Sequence, residues 1–242
     1  MSVLGEAART LRPSPDDRYG PLPAMMVALT FVTGVVDAAS YLKLGHVFVA
    51  NMTGNIVFLG FALAGASGLS SVTSLVALAS FLAGAFAGGW LIARTPAHRG
   101  HLLRSASACQ ASLMAIAVIV ALSGSEPFAS GVRYALLVPL ALAMGVQNAS
   151  AQRLAIPELT TTVLTRTLTG IASEAGVVGG PGSKLGRRSV AVAAMLLGAL
   201  TGGLLALHVS VASALAVALA IVIAVGLAVH LLSRSQEAWT RP

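Results

Sequence analysis

Charge and cysteine are what this chain has least of. Its 242 residues include eight Asp and Glu, fifteen Lys and Arg, and one cysteine. Charged residues make up 10% of the chain, where a soluble globular domain carries about 25%. So few cannot cover a soluble fold of this size. Cys109, standing alone, forms no internal bridge, which excludes a disulfide scaffold and leaves the redox compartment unmarked. Aromatic residues number twelve, and no basic run is interleaved with them. A formal charge of +7 and a pI of 10.8 therefore do not point to nucleic acid. The five histidines lie at the ends of apolar runs or between them without ligand spacing. No Cys/His cluster, glycine-rich phosphate loop or nucleophile elbow occurs, so no metal, no cofactor and no enzymatic activity are expected.

What is there is hydrocarbon. Apolar residues make up 56% of the chain and the mean hydropathy is +0.86, the composition of a membrane protein whose main partner is the lipid bilayer. A helix rises about 1.5 Å per residue, so roughly twenty apolar residues cross a core of about 30 Å. Residues 22–42, 72–93, 106–122, 132–148, 190–207 and 211–232 meet or approach that length. Two further stretches, 46–66 and 154–178, are long enough but interrupted. The first carries Asn51, Thr53, Gly54 and Asn55; the second carries Glu158, Thr160 to Thr162, Arg166 and Glu174. Residues 1–21, with Arg9, Arg12, Asp16, Asp17, Arg18 and three prolines, read as a short flexible solvated tail. The run that follows belongs to an internal repeat, so it is kept as a span and not taken for a cleaved leader.

Three matches in register divide the chain into related halves. Gly34-Val35-Val36-Asp37-Ala38 is similar to Gly145-Val146-Gln147-Asn148-Ala149 at an offset of 111. Met52-Thr53-Gly54-Asn55 aligns with Leu164-Thr165-Arg166-Thr167 at 112, and the run from Leu82 to Gly89 with that from Leu196 to Gly203 at 114. The organisation expected is a polar tail 1–21, a first membrane repeat 22–122, a linker 123–131, a second repeat 132–232 and a polar tail 233–242. If both interrupted stretches cross, there are eight spans, with nine Lys/Arg on the side of the N-terminus against five. If both dip in and return, there are six spans. Arg9, Arg12, Arg18, Arg94, Arg99, Arg104, Arg153, Lys184, Arg187, Arg188, Arg234 and Arg241 then face Lys43 and Arg133 across the membrane. Twelve against two fits the positive-inside rule far better. The fold expected is all-α: a polytopic membrane helix bundle of two related halves with six full spans plus two broken or re-entrant segments. Three spans per half make an inverted repeat the favoured arrangement.

Asp37 is a carboxylate within an apolar run, where a charge costs about 2.5 to 3.5 kcal/mol on insertion scales. With Thr30, Thr33 and Tyr41 it forms a polar stripe on one helix face. That stripe serves either a functional site or a structural hydrogen-bond anchor. Asn51-Met52-Thr53-Gly54-Asn55 has the chemistry of a cap and turn, from which a half-helix of about ten residues, 56–65, is expected to run. Thr165-Arg166-Thr167 is placed to start its counterpart from the other side. A cation at a helix N-terminus opposes the helix dipole, so Arg166 requires a nearby anion; Asp37 is expected either to pair with it directly or to bind a small charged or zwitterionic solute with it, and Glu174 is the reserve partner. The expected substrate or ion site comprises Asp37, Asn51, Thr53 and Asn55 from one half and Asn148, Thr165, Arg166 and Thr167 from the other. Gly84 and Gly88, with Gly198 and Gly202, are spaced one turn apart for close helix packing.

Gly34-Val-Val-Asp37-Ala-Ala-Ser40-Tyr41 and the run from Val47 to Asn55 resemble the signature of the YoaK-like bacterial membrane proteins, a domain family of unknown function. The stretches Gly145 to Ala149 and Thr161 to Thr165 are similar to that family's second signature, and the likeness covers about residues 24–232. It implies a multi-pass protein of the bacterial inner membrane and supplies no substrate. The family pattern has a small residue where this chain has Arg166. Two readings follow: a small-solute transporter or channel binding a polar or charged solute between the broken segments, with both termini cytoplasmic, or a non-transporting membrane scaffold or partner-binding subunit. The oligomeric state is not encoded legibly.

Overall fold

A computed structural model of the chain describes residues 3–12, 17–94, 98–159, 161–162, 164–174, 184–233 and 238–240. Thr160, Arg234 and Arg241 lie outside these. Nine α-helices are present among the described residues: α1 (Val3–Leu11), α2 (Leu22–Lys43), α3 (Met52–Leu63), α4 (Ser71–Arg94), α5 (Arg99–Ser123), α6 (Ser130–Leu154), α7 (Leu164–Ser173), α8 (Leu185–His208) and α9 (Val211–Leu232). Six of them, α2, α4, α5, α6, α8 and α9, are long and apolar enough to cross a membrane. Helices α5, α6 and α8 extend five to seven residues beyond the apolar runs, taking in Arg99, Arg104, Arg153, Arg187 and Arg188. Hydropathy marks where the hydrocarbon stops. The backbone goes on bonding to itself into the headgroup layer, where long cationic side chains remain solvated.

One correction falls on the first residues. A flexible tail is expected there, yet Val3–Leu11 forms a helix that docks on the start of α8. The Glu6 carboxylate accepts the Gly186 amide at 3.1 Å, which satisfies one of the free donors at the N-terminus of α8.

The main helix pairings correspond when the halves are exchanged, though not to equal extent. α2 lies along α8 as α6 lies along α4; α5 packs on α6 as α9 packs on α2; α3 leans on α4 as α7 leans on α8. Glycines allow the two long contacts. A Cβ added at Gly34 would lie 2.6 Å from the amide nitrogen of Ala199, and one at Gly145 would lie 2.6 Å from that of Ala85. From the opposing helices, Gly84 abuts the Leu142 backbone and Gly198 the Phe31 backbone. Each pair of positions is 111 or 114 residues apart, matching the sequence repeat. Helices α2 and α6 are the buried centre, while α4 and α8 turn Leu82, Phe86, Leu196 and Leu200 outward, where a bilayer would cover them. Arg94 sits 3.6 Å over the Trp90 ring at the end of α4, a pairing suited to the membrane interface.

Contacts at the helix ends show which ends of the bundle lie together. The end of α2, the α3–α4 connection, the start of α4 and the start of α6 line one common cavity. There Lys43 pairs with Glu126 at 3.3 Å, and Glu126 accepts the Val211 amide at the start of α9 at 2.7 Å. At the other end Arg99 lies over Tyr19, Arg104 meets His230 at 3.3 Å, and Arg188 of α8 meets Glu158, just beyond α6, at 2.7 Å. Because α2 ends and α4 begins at the same end, residues 46–66 enter and return. Of the second interrupted stretch, Glu158 and Glu174 both reach Arg188 at the opposite end. Helix α2 thus runs from the arginine-rich end to the arginine-poor end, and α6 runs back.

Candidate functional site

Asp37 is 3% exposed and fully engaged. Its Oδ1 accepts the backbone amides of Val49 and Ala50, each at 2.8 Å, and its Oδ2 accepts the Asn51 side-chain amide. Asn55 completes a clamp one turn into α3. Its Oδ1 accepts the Phe48 amide at 2.8 Å and its Nδ2 donates to the Phe48 carbonyl at 2.6 Å. Residues 47–51 have neither helix nor sheet to bond them, and in a dry environment each unmet backbone group is costly. Asp37 and Asn55 supply those partners and hold the descending strand against α2. Tyr41, Phe48 and Phe58 pack over it, with Tyr41 and Phe48 stacked at 5.2 Å.

This clamp moves the start of α3. The helix begins at Met52, four residues before the half-helix expected from the sequence, and runs to Leu63. Asn51 occupies the N-cap position without capping, because its amide is turned to Asp37. The equivalent helix α7 begins at Leu164, 112 residues later, in register with the repeat. A weaker form of the clamp recurs there: the Thr162 hydroxyl donates to Asn148 Oδ1 at 2.7 Å, and Asn148 and Thr162 stand 111 residues beyond Asp37 and Asn51.

The two re-entrant segments meet at a cleft of about 520 Å³. Asp37, Tyr41 and Asn51 line it from the first half, Thr162 and Thr165 from the second, and Met195 of α8 closes one wall. Of the eight expected site residues, the cleft gathers Asp37, Asn51 and Thr165. Asn55 and Asn148 stand behind it as supports of the wall, and Thr53 is exposed and takes no part in the lining.

Direct pairing of Asp37 with Arg166, one of the two expected arrangements, is not seen among the described residues. Arg166 lines two cavities on the far side of α7 together with Glu158, Thr167 sharing one of them, and no ion pair joins it to Asp37 among the described residues. Thr165 borders both the cleft and one of these cavities, whereas Arg166 does not line the cleft. Asp37, for its part, takes its hydrogen bonds from amides. Nor is Asp37 at the centre of its helix: it stands six residues from Lys43, about 9 Å from that end. Gly88 and Gly202 sit against Val146 and Val35 respectively, in the same helix contacts as Gly84 and Gly198.

Three groups of residues were not anticipated. Gln110 Nε2 donates to Gln147 Oε1 at 2.7 Å and Gln147 Nε2 to Thr33 Oγ1 at 2.9 Å, joining α5, α6 and α2 through buried amides. Gln147 replaces the Val36 of the first half, and that substitution within the repeat is its signal. Arg188, 4% exposed, binds Glu158 at 2.7 Å and Glu174 at 3.1 Å, pinning α7 and the preceding turn to α8. The Arg188 hydrogen bond holds the Glu158 carboxyl below the usual carboxylate range, against the opposing effect of burial. Glu126, bridging Lys43 and the start of α9, reads in sequence only as a loop acid. Among the described residues no group of three or more His, Cys, Asp or Glu is arranged to hold a metal ion.

The chain is 33% identical over 150 residues to the UPF0700 transmembrane protein YoaK of Bacillus subtilis (strain 168). That alignment covers 62% of this chain and 65% of the relative, somewhat less than two thirds of its length. No solved structure matches. Residues 25–228, which include both re-entrant segments and all six long apolar helices save the ends of α2 and α9, match the family described as "Protein of unknown function (DUF1275)". The chain belongs to that family of multi-pass membrane proteins.

Proposed function

We propose that the chain is a small-solute transporter or channel of the bacterial inner membrane, its halves related as an inverted repeat and its termini in the cytoplasm. The observation that carries this is the cleft of about 520 Å³ walled by both re-entrant segments. Polar groups at such depth are expensive unless they serve a site or a fold. Here the work is divided. Asp37 and Asn55 hold the backbone, Asp37 and Asn148 engage the Asn51 amide and the Thr162 hydroxyl, and the Tyr41 and Thr165 hydroxyls edge the cleft. Broken segments meeting between repeats are a recurrent plan for solute passage. The orientation rests on the arginine-rich end, where Arg9, Arg12, Arg18, Arg94, Arg99, Arg104 and Arg153 gather against Lys43 and Arg133 opposite. No catalytic chemistry is part of this reading.

Uptake into proteoliposomes tests it, with small anions, amino acids and nucleobases as solutes and Thr165→Val as the site variant. Thr165 is exposed on the first turn of α7, so its loss should leave thermal stability unchanged. It should change flux of the recognised solute about fivefold or more, the scale of one hydrogen bond. Flux no greater than that of protein-free vesicles for every class, with the protein folded, would refute transport. The competing reading, a membrane scaffold, is favoured by one observation: both carboxylate oxygens of Asp37 already accept hydrogen bonds from the protein itself.

A further inference from the structure

We propose that the cavity at the arginine-poor end, between the end of α2 and the starts of α4 and α6, is a binding site for an oxyanion, a phosphate or carboxylate group. The cavity encloses about 560 Å³ and is edged by Lys43, His46, Ser70, Thr73, Arg133 and Tyr134. Arg133 is half-buried, and its guanidinium bonds only to the Ser130 hydroxyl, at 3.1 Å, among the described residues. It stands in the first turn of α6, where no side chain caps the helix and no acid is present. A cation there opposes the helix dipole, and the free amides of that turn add to the same positive potential. The nearby acid does not relieve it, because Glu126 is bound to Lys43 and to the Val211 amide.

Hydroxyls complete the site. Thr73 and Tyr134 meet across the cavity at 3.3 Å, and Ser70 edges it from just before α4. An anion accepting from Arg133 and from the one hydroxyl of the Thr73–Tyr134 pair that does not donate within it would satisfy donors that the protein leaves unmet. The site also adjoins the central cleft: Leu42 lines both, and His46 of the outer cavity packs edge-on against Tyr41 of the inner one at 5.3 Å. It requires only an anion at this end and holds whether or not the cleft conducts.

Two sources offer this chemistry, a soluble anion and a lipid headgroup, and the test separates them. Thermal stability of the purified full chain is measured with increasing inorganic phosphate at constant ionic strength, and separately in nanodiscs of phosphatidylcholine with and without phosphatidylglycerol. The variants are Arg133→Gln and Arg133→Lys. Stabilisation by phosphate that weakens about tenfold or more in Arg133→Gln, as expected for loss of a charge-assisted hydrogen bond, and partly returns in Arg133→Lys supports a soluble anion. The same dependence on phosphatidylglycerol alone supports a headgroup. Neither probe binding, or either binding equally well to Arg133→Gln, overturns the proposal. Should Arg133→Gln lose stability without any ligand, Tyr134→Phe serves in its place, with the same weakening required.

Discussion

Replacing Asp37 by alanine removes the acceptor for three donors at once: the Val49 and Ala50 amides and the Asn51 side chain. Asp37 is 3% exposed, so water does not take over in place. Hydrogen bonds between side chains in a bilayer average about 0.6 kcal/mol, because the unfolded chain in the membrane also finds partners; three give about 2 kcal/mol. At the ~2 kcal/mol typical of a stranded buried donor the sum is about 6 kcal/mol. The expected loss lies between these values. Asp37→Asn, which keeps one carbonyl oxygen but sets a second amide against Asn51, should fall between alanine and the natural residue. Reversible unfolding in mixed anionic and mild detergent micelles, followed by circular dichroism, measures the loss. Hydrogen exchange should show Val49 and Ala50 losing protection while the middles of α5 and α9 keep theirs. A double-mutant cycle sharpens the test: Asn55 secures the same segment through Phe48, so Asp37→Ala and Asn55→Ala together should cost less than their sum by about 1 kcal/mol. An Asp37→Ala protein within about 0.5 kcal/mol of the natural chain, the range of ordinary surface changes, would refute the clamp.

Other expectations follow from the same geometry. Gly84→Ala should destabilise by about 2 kcal/mol or more, since its Cβ would overlap the Leu142 backbone, whereas Gly89→Ala, with open space around it, should be neutral or gain about 0.5 to 1 kcal/mol in the same assay. Gln147→Ala should cost about 1 to 3 kcal/mol by stranding buried Gln110, and the double change Gln110→Leu with Gln147→Leu should recover much of it. The Arg188–Glu158 pair carries a pH dependence. Glu158 has its carboxyl lowered in the folded chain, so its stabilisation is complete above its unfolded value of 4.5 and fades as pH falls through the lower folded value. Stability measured against pH should decline below 4.5 in the natural chain and decline less steeply in Glu158→Gln.

The six long apolar helices and the breaks between them were legible in sequence, because each depends on local composition. Three-fold matching of Gly34, Met52 and the run from Leu82 with their counterparts was enough to pair the halves. The side chains' assignments were less legible. Whether Asp37 meets Arg166 or the amides of Val49 and Ala50 depends on how five residues without regular structure fold back on α2, and composition does not encode that path. Arg188 sits before an apolar run and reads as a surface cation until α7 is seen lying across it. Gln110 and Gln147 carry no charge, so hydropathy passes over them, although the break in repeat symmetry at Gln147 was visible.

Sidedness gives the clearest test of the architecture. If residues 46–66 enter and return, Ser67 and Ser125 lie at one end of the bundle, and Arg12 and Gln152 at the other. If both interrupted stretches crossed, Arg12, Ser67 and Ser125 would share a side and Gln152 would oppose them. All four are exposed, and the chain offers a cysteine-free background through Cys109→Ala, since Cys109 is its only cysteine. Single cysteines at these positions, labelled with a membrane-impermeant maleimide in intact cells and then in inverted vesicles, should fall into two pairs: Ser67 with Ser125, and Arg12 with Gln152. The turn geometry at both re-entrant segments requires that pairing, because the cavity at the end of α2 and the Arg188–Glu158 contact each join helices that eight crossings would place on opposite sides. Labelling of Ser67 together with Arg12 would separate the two walls of the cleft by the thickness of the bilayer.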